Sequence, residues 1–85
     1  MNMKINFDYD SEMDILYLSR GKPKAGYTVK LTSDIFIRKD LDNDQTIGAD
    51  ICDVSTHDFD EIVAKLPFSI TPMEINNIKQ KLKNN

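Results

Sequence analysis

The spacing of apolar residues changes once along this chain, near residue 57, and this change limits the folds that the chain can adopt. Apolar and polar residues alternate in segments such as 5–9 and 27–32, and alternation places each type on one face of a β-strand. Beyond residue 57, apolar residues recur at helical spacing, at Phe59, Ile62 and Leu66. The sequence therefore predicts a sheet followed by helices.

Five strands are predicted in the first part, separated by short polar or glycine-containing segments. They cover residues 4–9, 15–18, 27–32, 35–41 and 46–54. The second strand is a continuous apolar run, which is typical of a central strand that is covered on both faces or paired at an interface. Because short connections join antiparallel neighbours, the sheet is predicted to be a mostly antiparallel β-meander.

Two helices are predicted in the second part. Asp58 followed by Glu61 indicates an N-cap for a helix that ends before residue 67. Thr71, Pro72 and Glu74 form a stronger start signal, with threonine at the N-cap, proline at the first position and glutamate at the third. The predicted fold class is α+β, a five-stranded meander followed by two C-terminal helices, at least one of which packs on the sheet.

The chain has 85 residues, the size of one small domain. We expect a single domain over residues 1–85, with the sheet at 1–56 and the helical part at 57–85. Its hydrophobic content of 40% is enough for one thin core. Such a domain has little room for a deep pocket of the kind that enzymes use.

Charge is distributed unevenly along the chain. Residues 34–61 carry nine acidic and two basic side chains, whereas residues 20–30 carry four basic side chains and no acid. The net charge of −3 disfavours nucleic-acid binding, which depends on neutralising phosphates. The acidic middle is better suited to a basic protein partner.

The termini and the cysteine content bear on the compartment. Cys52 is the single cysteine, which excludes an intramolecular disulfide and suits a reducing cytosol. The first residues lack the apolar segment of a signal peptide, and no apolar run approaches membrane-spanning length. We expect a cytoplasmic protein with no membrane contact.

Several short motifs of the sheet part keep regular spacings. They are Tyr9-Asp10, Asp14-Ile15-Leu16-Tyr17-Leu18, Asp40-Leu41-Asp42, Ile47-Gly48-Ala49-Asp50-Ile51 and Asp53-Val54-Ser55. Together they resemble the family called domain of unknown function 2283, which comprises small uncharacterised prokaryotic proteins, over residues 4–56. Two positions depart from the family pattern: Gln45 replaces a hairpin glycine, and Asp50 replaces a glutamate.

The resemblance implies no established activity. Some similar proteins are encoded beside small candidate toxins, which implies an antitoxin role. The motif residues are expected to serve interaction or structure, and they are Tyr9, Asp10, Asp14, Leu16, Tyr17, Gly48 and Asp50.

Asp10 and Asp14 lie four residues apart across the first predicted turn. Carboxylates placed in this way can converge on a divalent cation, and Asp50 is a third candidate ligand. Alternatively, Asp10 caps the turn by accepting hydrogen bonds from backbone N–H groups, and Asp14 does the same at the exit. We favour capping, because so thin a domain offers little water-excluded space, and we expect neither metal nor cofactor.

His57 is the single histidine and lies close in sequence to Cys52 and Ser55. His57 as a base with Cys52 or Ser55 as a nucleophile is one interpretation, but the sequence marks no third group to orient the pair. The preferred interpretation is a solvated histidine near a helix start, with Cys52 as a half-buried strand residue. We expect no enzymatic activity and name no catalytic residue.

The leading hypothesis is a non-enzymatic protein-interaction domain, an antitoxin-like partner of a small basic toxin encoded nearby. A homodimer is also expected, because a second copy would cover the apolar run at residues 15–18. The alternative is a domain that binds a divalent metal or a small ligand through Asp10 and Asp14.

Overall fold

The computed structural model describes residues 4–22 and 24–84, which form five strands followed by helices. The elements are β1 (Ile5–Asp10), β2 (Ile15–Arg20), β3 (Gly26–Lys30), β4 (Ile35–Asp40), β5 (Thr46–Cys52), a short 3-10 helix (Val54–Thr56), α1 (Phe59–Lys65) and α2 (Pro72–Lys83). The predicted α+β class, with two C-terminal helices after the sheet, is confirmed. The 3-10 helix was not predicted.

All five strands are antiparallel, in the order β1-β2-β5-β4-β3. In a simple meander each strand pairs with the next one along the chain, so β3 would pair with β2. In this sheet β5 pairs with β2 instead, and β3 lies at the edge. Five residues separate the end of β2 from the start of β3, which is enough to span the width of two strands, since an extended residue spans about 3.3–3.6 Å and strands lie about 4.8 Å apart.

Gly48 explains why β5 can lie against β2. It sits opposite Ser19, and a β-carbon at this position would meet the carbonyl oxygen of Leu18 and the guanidinium of Arg38. Only glycine leaves room for the two strands to approach, so Gly48 has a structural role in the strand order.

The core lies between one face of the sheet and the helical part. Among the residues that the structure describes, fourteen buried apolar side chains form one cluster, to which β1, β2, β4, β5 and both helices contribute: Ile5, Leu16, Leu18, Ile35, Ile37, Ala49, Ile51, Val54, Phe59, Ile62, Leu66, Phe68, Ile70 and Ile78. Helix α2 packs against β1, which confirms that a helix covers the sheet.

Both helices begin at side-chain caps. Asp58 accepts a hydrogen bond from the backbone of Asp60 rather than from the predicted Glu61. Thr71 and Glu74 form the complete capping box that the sequence predicts. The Glu74 carboxylate also accepts the N–H of Ile5 at 2.9 Å, so the start of α2 is tied to β1.

Candidate functional site

Asp10 stabilises the turn between β1 and β2. Its Oδ1 accepts hydrogen bonds from the backbone N–H of Glu12 at 3.1 Å and of Met13 at 3.2 Å. These bonds are typical of an Asx turn, and they confirm the capping interpretation of Asp10. The turn fixes the register of the hairpin, in which Tyr9 lies opposite Leu16.

Asp14 stands at the end of this turn in the left-handed conformation, with φ of 56°. The Tyr9 hydroxyl donates to its Oδ1 at 2.7 Å, and the Ser55 hydroxyl donates to its Oδ2 at 2.6 Å. The backbone N–H of Ser55 donates to both oxygens, at 3.2 and 3.3 Å. Asp14 therefore joins the first hairpin to the segment after β5. The sequence predicted that Asp14 would accept hydrogen bonds from backbone N–H groups of the turn itself, and that prediction is wrong, because the backbone N–H that it accepts belongs to Ser55.

These bonds change the ionisation of both Asp14 and Tyr9. Burial opposes the charged form of Asp14, but hydrogen bonds from Ser55 and Tyr9 outweigh it and lower the pKa of the carboxyl group. The bond to Asp14 raises the pKa of the Tyr9 hydroxyl, and burial adds to that effect. Asp14 is thus held as a charged structural carboxylate.

The three candidate metal ligands do not form a metal centre. Within residues 4–22 and 24–84, no group of three or more histidine, cysteine, aspartate or glutamate side chains is arranged to hold an ion. Asp10 and Asp14 already accept the bonds described above, which a cation would have to displace. Asp50 lies on β5, opposite Tyr17 of β2. The geometry favours structural roles for Asp10 and Asp14.

The face of the sheet away from the helices carries Tyr17 and Asp50. Phe36 lies on the other side of Asp50, and all three side chains are half-buried. Arg38 Nε stands 3.5 Å from Asp50 Oδ1, and both atoms are shielded from solvent without a hydrogen bond among the described residues. Burial raises the pKa of Asp50, which Arg38 opposes only in part. This face holds a weakly paired charge.

His57, Ser55 and Cys52 do not assemble as base and nucleophile. The Ser55 hydroxyl donates to Asp14, and His57 Nε2 lies 2.7 Å from Asp34 Oδ2. Burial, with nearby carboxylates, raises the pKa of the Cys52 thiol, which disfavours a reactive thiolate. The half-buried position predicted for Cys52 is confirmed.

Part of the basic segment serves the fold itself. Arg20 donates to the carbonyl of Thr46 at 2.9 Å, and its guanidinium lies 5.4 Å from the centre of the Phe68 ring. Lys24 Nζ lies 3.7 Å from Asp40 Oδ2. These contacts anchor the ends of β2 and β3 to neighbouring elements.

The clearest exposed apolar surface lies on β3, which the sequence did not single out. Among residues 4–22 and 24–84, six large apolar side chains are markedly exposed, and four of them lie on or beside this strand. We call these four the β3 surface: Tyr27 (38% exposed), Val29 (41%), Leu31 (45%) and Leu41 (61%). The interface predicted from the sequence lies instead at residues 15–18, where Leu16 and Leu18 are fully buried and Ile15 and Tyr17 are half-buried.

The β3 surface continues the core face of the sheet. Val29 lies opposite Ile37, which belongs to the core, and alternate residues of a strand share a face. Tyr27 and Leu31 therefore lie on the face that the helices cover over the other strands. The apolar alternation of β3 is that of a covered strand, yet all five of its residues are exposed.

Free backbone groups line the outer edge of β3. The N–H of Leu31 donates to the carbonyl of Ile35 at 2.8 Å, which shows that Leu31 bonds towards β4. Residues of an antiparallel ladder alternate between bonding to one side and to the other. The backbone groups of Gly26, Thr28 and Lys30 therefore point away from the sheet.

Two depressions lie beside residues already described. One of about 30 Å³ lies beside His57 and Asp34, and it has room for about one water molecule. The other is an open groove of about 290 Å³ between β1 and α2, lined by Phe7 and Glu74 among others. The first is too small for an organic substrate.

No helix within residues 4–22 and 24–84 combines the length and the apolar content needed to cross a membrane. No protein-family model matches the chain, and comparison with curated proteins and with solved structures found no match. The resemblance to the family called domain of unknown function 2283 therefore stays a prediction.

Proposed function

We propose that this protein is a non-enzymatic protein-interaction domain that contacts its partner through the β3 surface. One observation carries the proposal: four exposed apolar side chains lie beside a row of outward-facing backbone groups. Scattered apolar side chains are ordinary on protein surfaces, whereas a patch beside an open strand edge is typical of a contact with another chain.

The polar side chains support binding rather than catalysis. Ser55 and Asp14 bond to each other, and His57 and Asp34 form a separate pair. The depression beside His57 is about 30 Å³, so a substrate would find no enclosed site there. These groups are understood as parts of the fold.

The narrower form of the proposal is an antitoxin-like protein that binds a small basic toxin encoded nearby. Asp42, Asp53 and Glu61 are exposed, and acidic surface groups speed the encounter with a basic partner. Other acids of this region have internal partners, such as Asp60, which binds Lys79 at 2.8 Å. The attraction is thus weaker than the count of acids indicates, and the apolar contact supplies most of the affinity. A cytoplasmic location is part of this proposal.

The proposal is tested by co-expressing the tagged chain with the product of the adjacent gene. We expect co-purification with the wild-type chain and its loss with Val29→Lys, which puts a charge into the β3 surface. Met73→Lys is the matched control, because Met73 is an exposed apolar residue of α2 (73% exposed). A neighbouring product that is harmless when expressed alone and does not bind would end the antitoxin form. Binding that Val29→Lys leaves intact would remove the β3 surface from the contact.

A further inference from the structure

We propose that the edge of β3 pairs with the same edge of a second copy of this chain. The two five-stranded sheets would then join into one continuous antiparallel sheet. This inference rests on the proposed role of the β3 surface in protein contact, and it adds a second copy of the chain as a partner at the strand edge. Three properties of the edge carry it: the direction of its free backbone groups, the placement of its apolar side chains and the charge at its ends.

The free backbone groups are self-complementary. An antiparallel approach about a two-fold axis at Thr28 places Thr28 opposite Thr28 of the second copy, and Gly26 opposite Lys30. These are the residues whose N–H and C=O point outward from β3. Residues opposed in this way exchange both of their hydrogen bonds, so this register satisfies every outward group of the strand.

The same register joins the apolar side chains. Tyr27 lies opposite Val29 of the second copy, in the type of pair that brings side chains closest together. In the single chain, these two side chains are 38% and 41% exposed. Pairing removes them from water and extends the core face across the junction.

Charge also suits a second copy in this orientation. Lys30 of the second copy faces Gly26, which has no side chain, so no like charges are opposed. Gly26 pairs with Asp40 on its other side, and Lys24 offsets part of the charge of Asp40. The exposed Asp42 and Asp44 follow in the hairpin, where Asp44 also accepts the Tyr27 hydroxyl. The flexible lysine stem can cross the glycine towards this acidic end. By symmetry the contact occurs twice, as an isologous interface requires.

The opposite edge of the sheet favours a closed dimer over a fibre. On β1 the N–H of Ile5 is bonded to Glu74, and α2 packs against the strand. Covered edges resist pairing with another chain. The bond at Ile5 and the neighbouring α2 make β1 a poorer site for pairing than β3, so association is expected to stop at two copies.

Thr28→Pro provides the decisive test. Because the N–H of Thr28 points outward, proline removes the bonds on the two-fold axis without removing a bond to β4. Thr28→Val is the matched control, since it keeps both the N–H and a β-branched side chain. Light scattering after size exclusion, over a dilution series, should give twice the mass of the chain for the wild type and for Thr28→Val. We expect the dimer dissociation constant of Thr28→Pro to rise by about tenfold or more, as the loss of two ordinary hydrogen bonds predicts.

A second variant covers the case in which Thr28→Pro fails to fold, as judged by circular dichroism. Val29→Lys puts a charge opposite Tyr27 of the second copy and should also give monomers, whereas Met73→Lys should not. The inference is overturned if the wild type stays monomeric at its highest soluble concentration. It is equally overturned if the wild type dimerises and every folded variant of β3 dimerises as tightly.

The outcomes separate this inference from the proposed function. A chain that is always monomeric, yet binds the neighbouring gene product through Val29, overturns the second copy and leaves the interaction role standing. A β3-dependent dimer that does not bind that product supports the inference and contradicts the antitoxin hypothesis. A monomer that binds nothing through β3 overturns both.

Discussion

The two edges of this sheet are protected to very different degrees. At β1, the carboxylate of Glu74 accepts the N–H of Ile5 at 2.9 Å, and α2 contacts the strand. At β3, all five residues are exposed, and none of them belongs to the core cluster. We refer to these as the closed edge and the open edge. An open edge is a liability that soluble proteins usually cover or blunt.

The difference follows from the reach of the helical part. The core cluster contains residues from four strands and both helices. The helices therefore cover β1, β2, β5 and β4 but do not extend over β3, the edge strand beyond β4. A partner that covers β3 would complete the layer. The uncovered strand is therefore the place that the proposed second chain would cover.

The largest difference is expected between Ile78→Ala and Val29→Ala. Ile78 is fully buried in α2 beneath the sheet, whereas Val29 is 41% exposed on β3. Ile78→Ala should lower the free energy of unfolding by about 2–5 kcal/mol, because it leaves a cavity. Val29→Ala should lower it by less than about 1 kcal/mol in the monomer.

Urea unfolding measures both changes, at a concentration low enough for dilution to leave the midpoint unchanged. That condition separates folding from association. An equal loss for the two variants would show that Val29 is packed within the single chain, and the contrast between the edges would fail.

A smaller effect is expected from Glu74→Gln, which weakens the closed edge. The backbone N–H groups of Ile5 and then Thr71 hold the pKa of Glu74 below its usual value. Because the folded pKa is the lower one, this stabilisation is complete above the unfolded pKa of about 4.3 and is lost as the pH falls through the folded pKa. We expect Glu74→Gln to cost about 1 kcal/mol at neutral pH and less at pH 3.

Urea unfolding at both pH values checks this expectation. Glu61→Gln on α1 is the control, because Glu61 is exposed and its replacement should stay within about 0.5 kcal/mol. A loss for Glu74→Gln that is the same at both pH values would mean that the charge of the carboxylate does not hold the edge.

The sequence predicted the parts of the fold that depend on neighbours in the chain. Thr71 and Glu74 lie three residues apart, so the capping box of α2 could be recognised directly. Asp10 likewise binds N–H groups two and three residues away. Short-range hydrogen bonds of this kind leave a signature in spacing, and both predictions were confirmed.

The features that were missed depend on strand order. Asp14 and Ser55 are 41 residues apart, and no spacing rule links them. Gly48 does mark a close approach, but the glycine alone does not name β2 as its neighbour. The apolar alternation at Tyr27 and Val29 is typical of a strand with one covered face, and these side chains are exposed because β3 lies at the edge of the sheet. The site could therefore be recognised only once the order β1-β2-β5-β4-β3 was known.

The smallest predicted effect comes from two matched hydrogen bonds, one at each edge of the sheet. Tyr9 donates to Asp14, and Tyr27 donates to Asp44, each at 2.7 Å. The backbone of both aspartates is in the left-handed conformation, with φ of 56° and 60°. The first bond is half-buried and reinforced by Ser55, whereas the second is exposed.

Tyr9→Phe and Tyr27→Phe remove one hydroxyl each and change little else. We expect Tyr9→Phe to lower the free energy of unfolding by about 1 kcal/mol, because Asp14 loses a partner in a partly buried network. Tyr27→Phe should change it by less than about 0.5 kcal/mol, since water replaces the lost donor. Urea unfolding of dilute protein compares the two. Equal losses would mean that the open edge is as firmly held as the closed one, and β3 would then need no second chain to stabilise it.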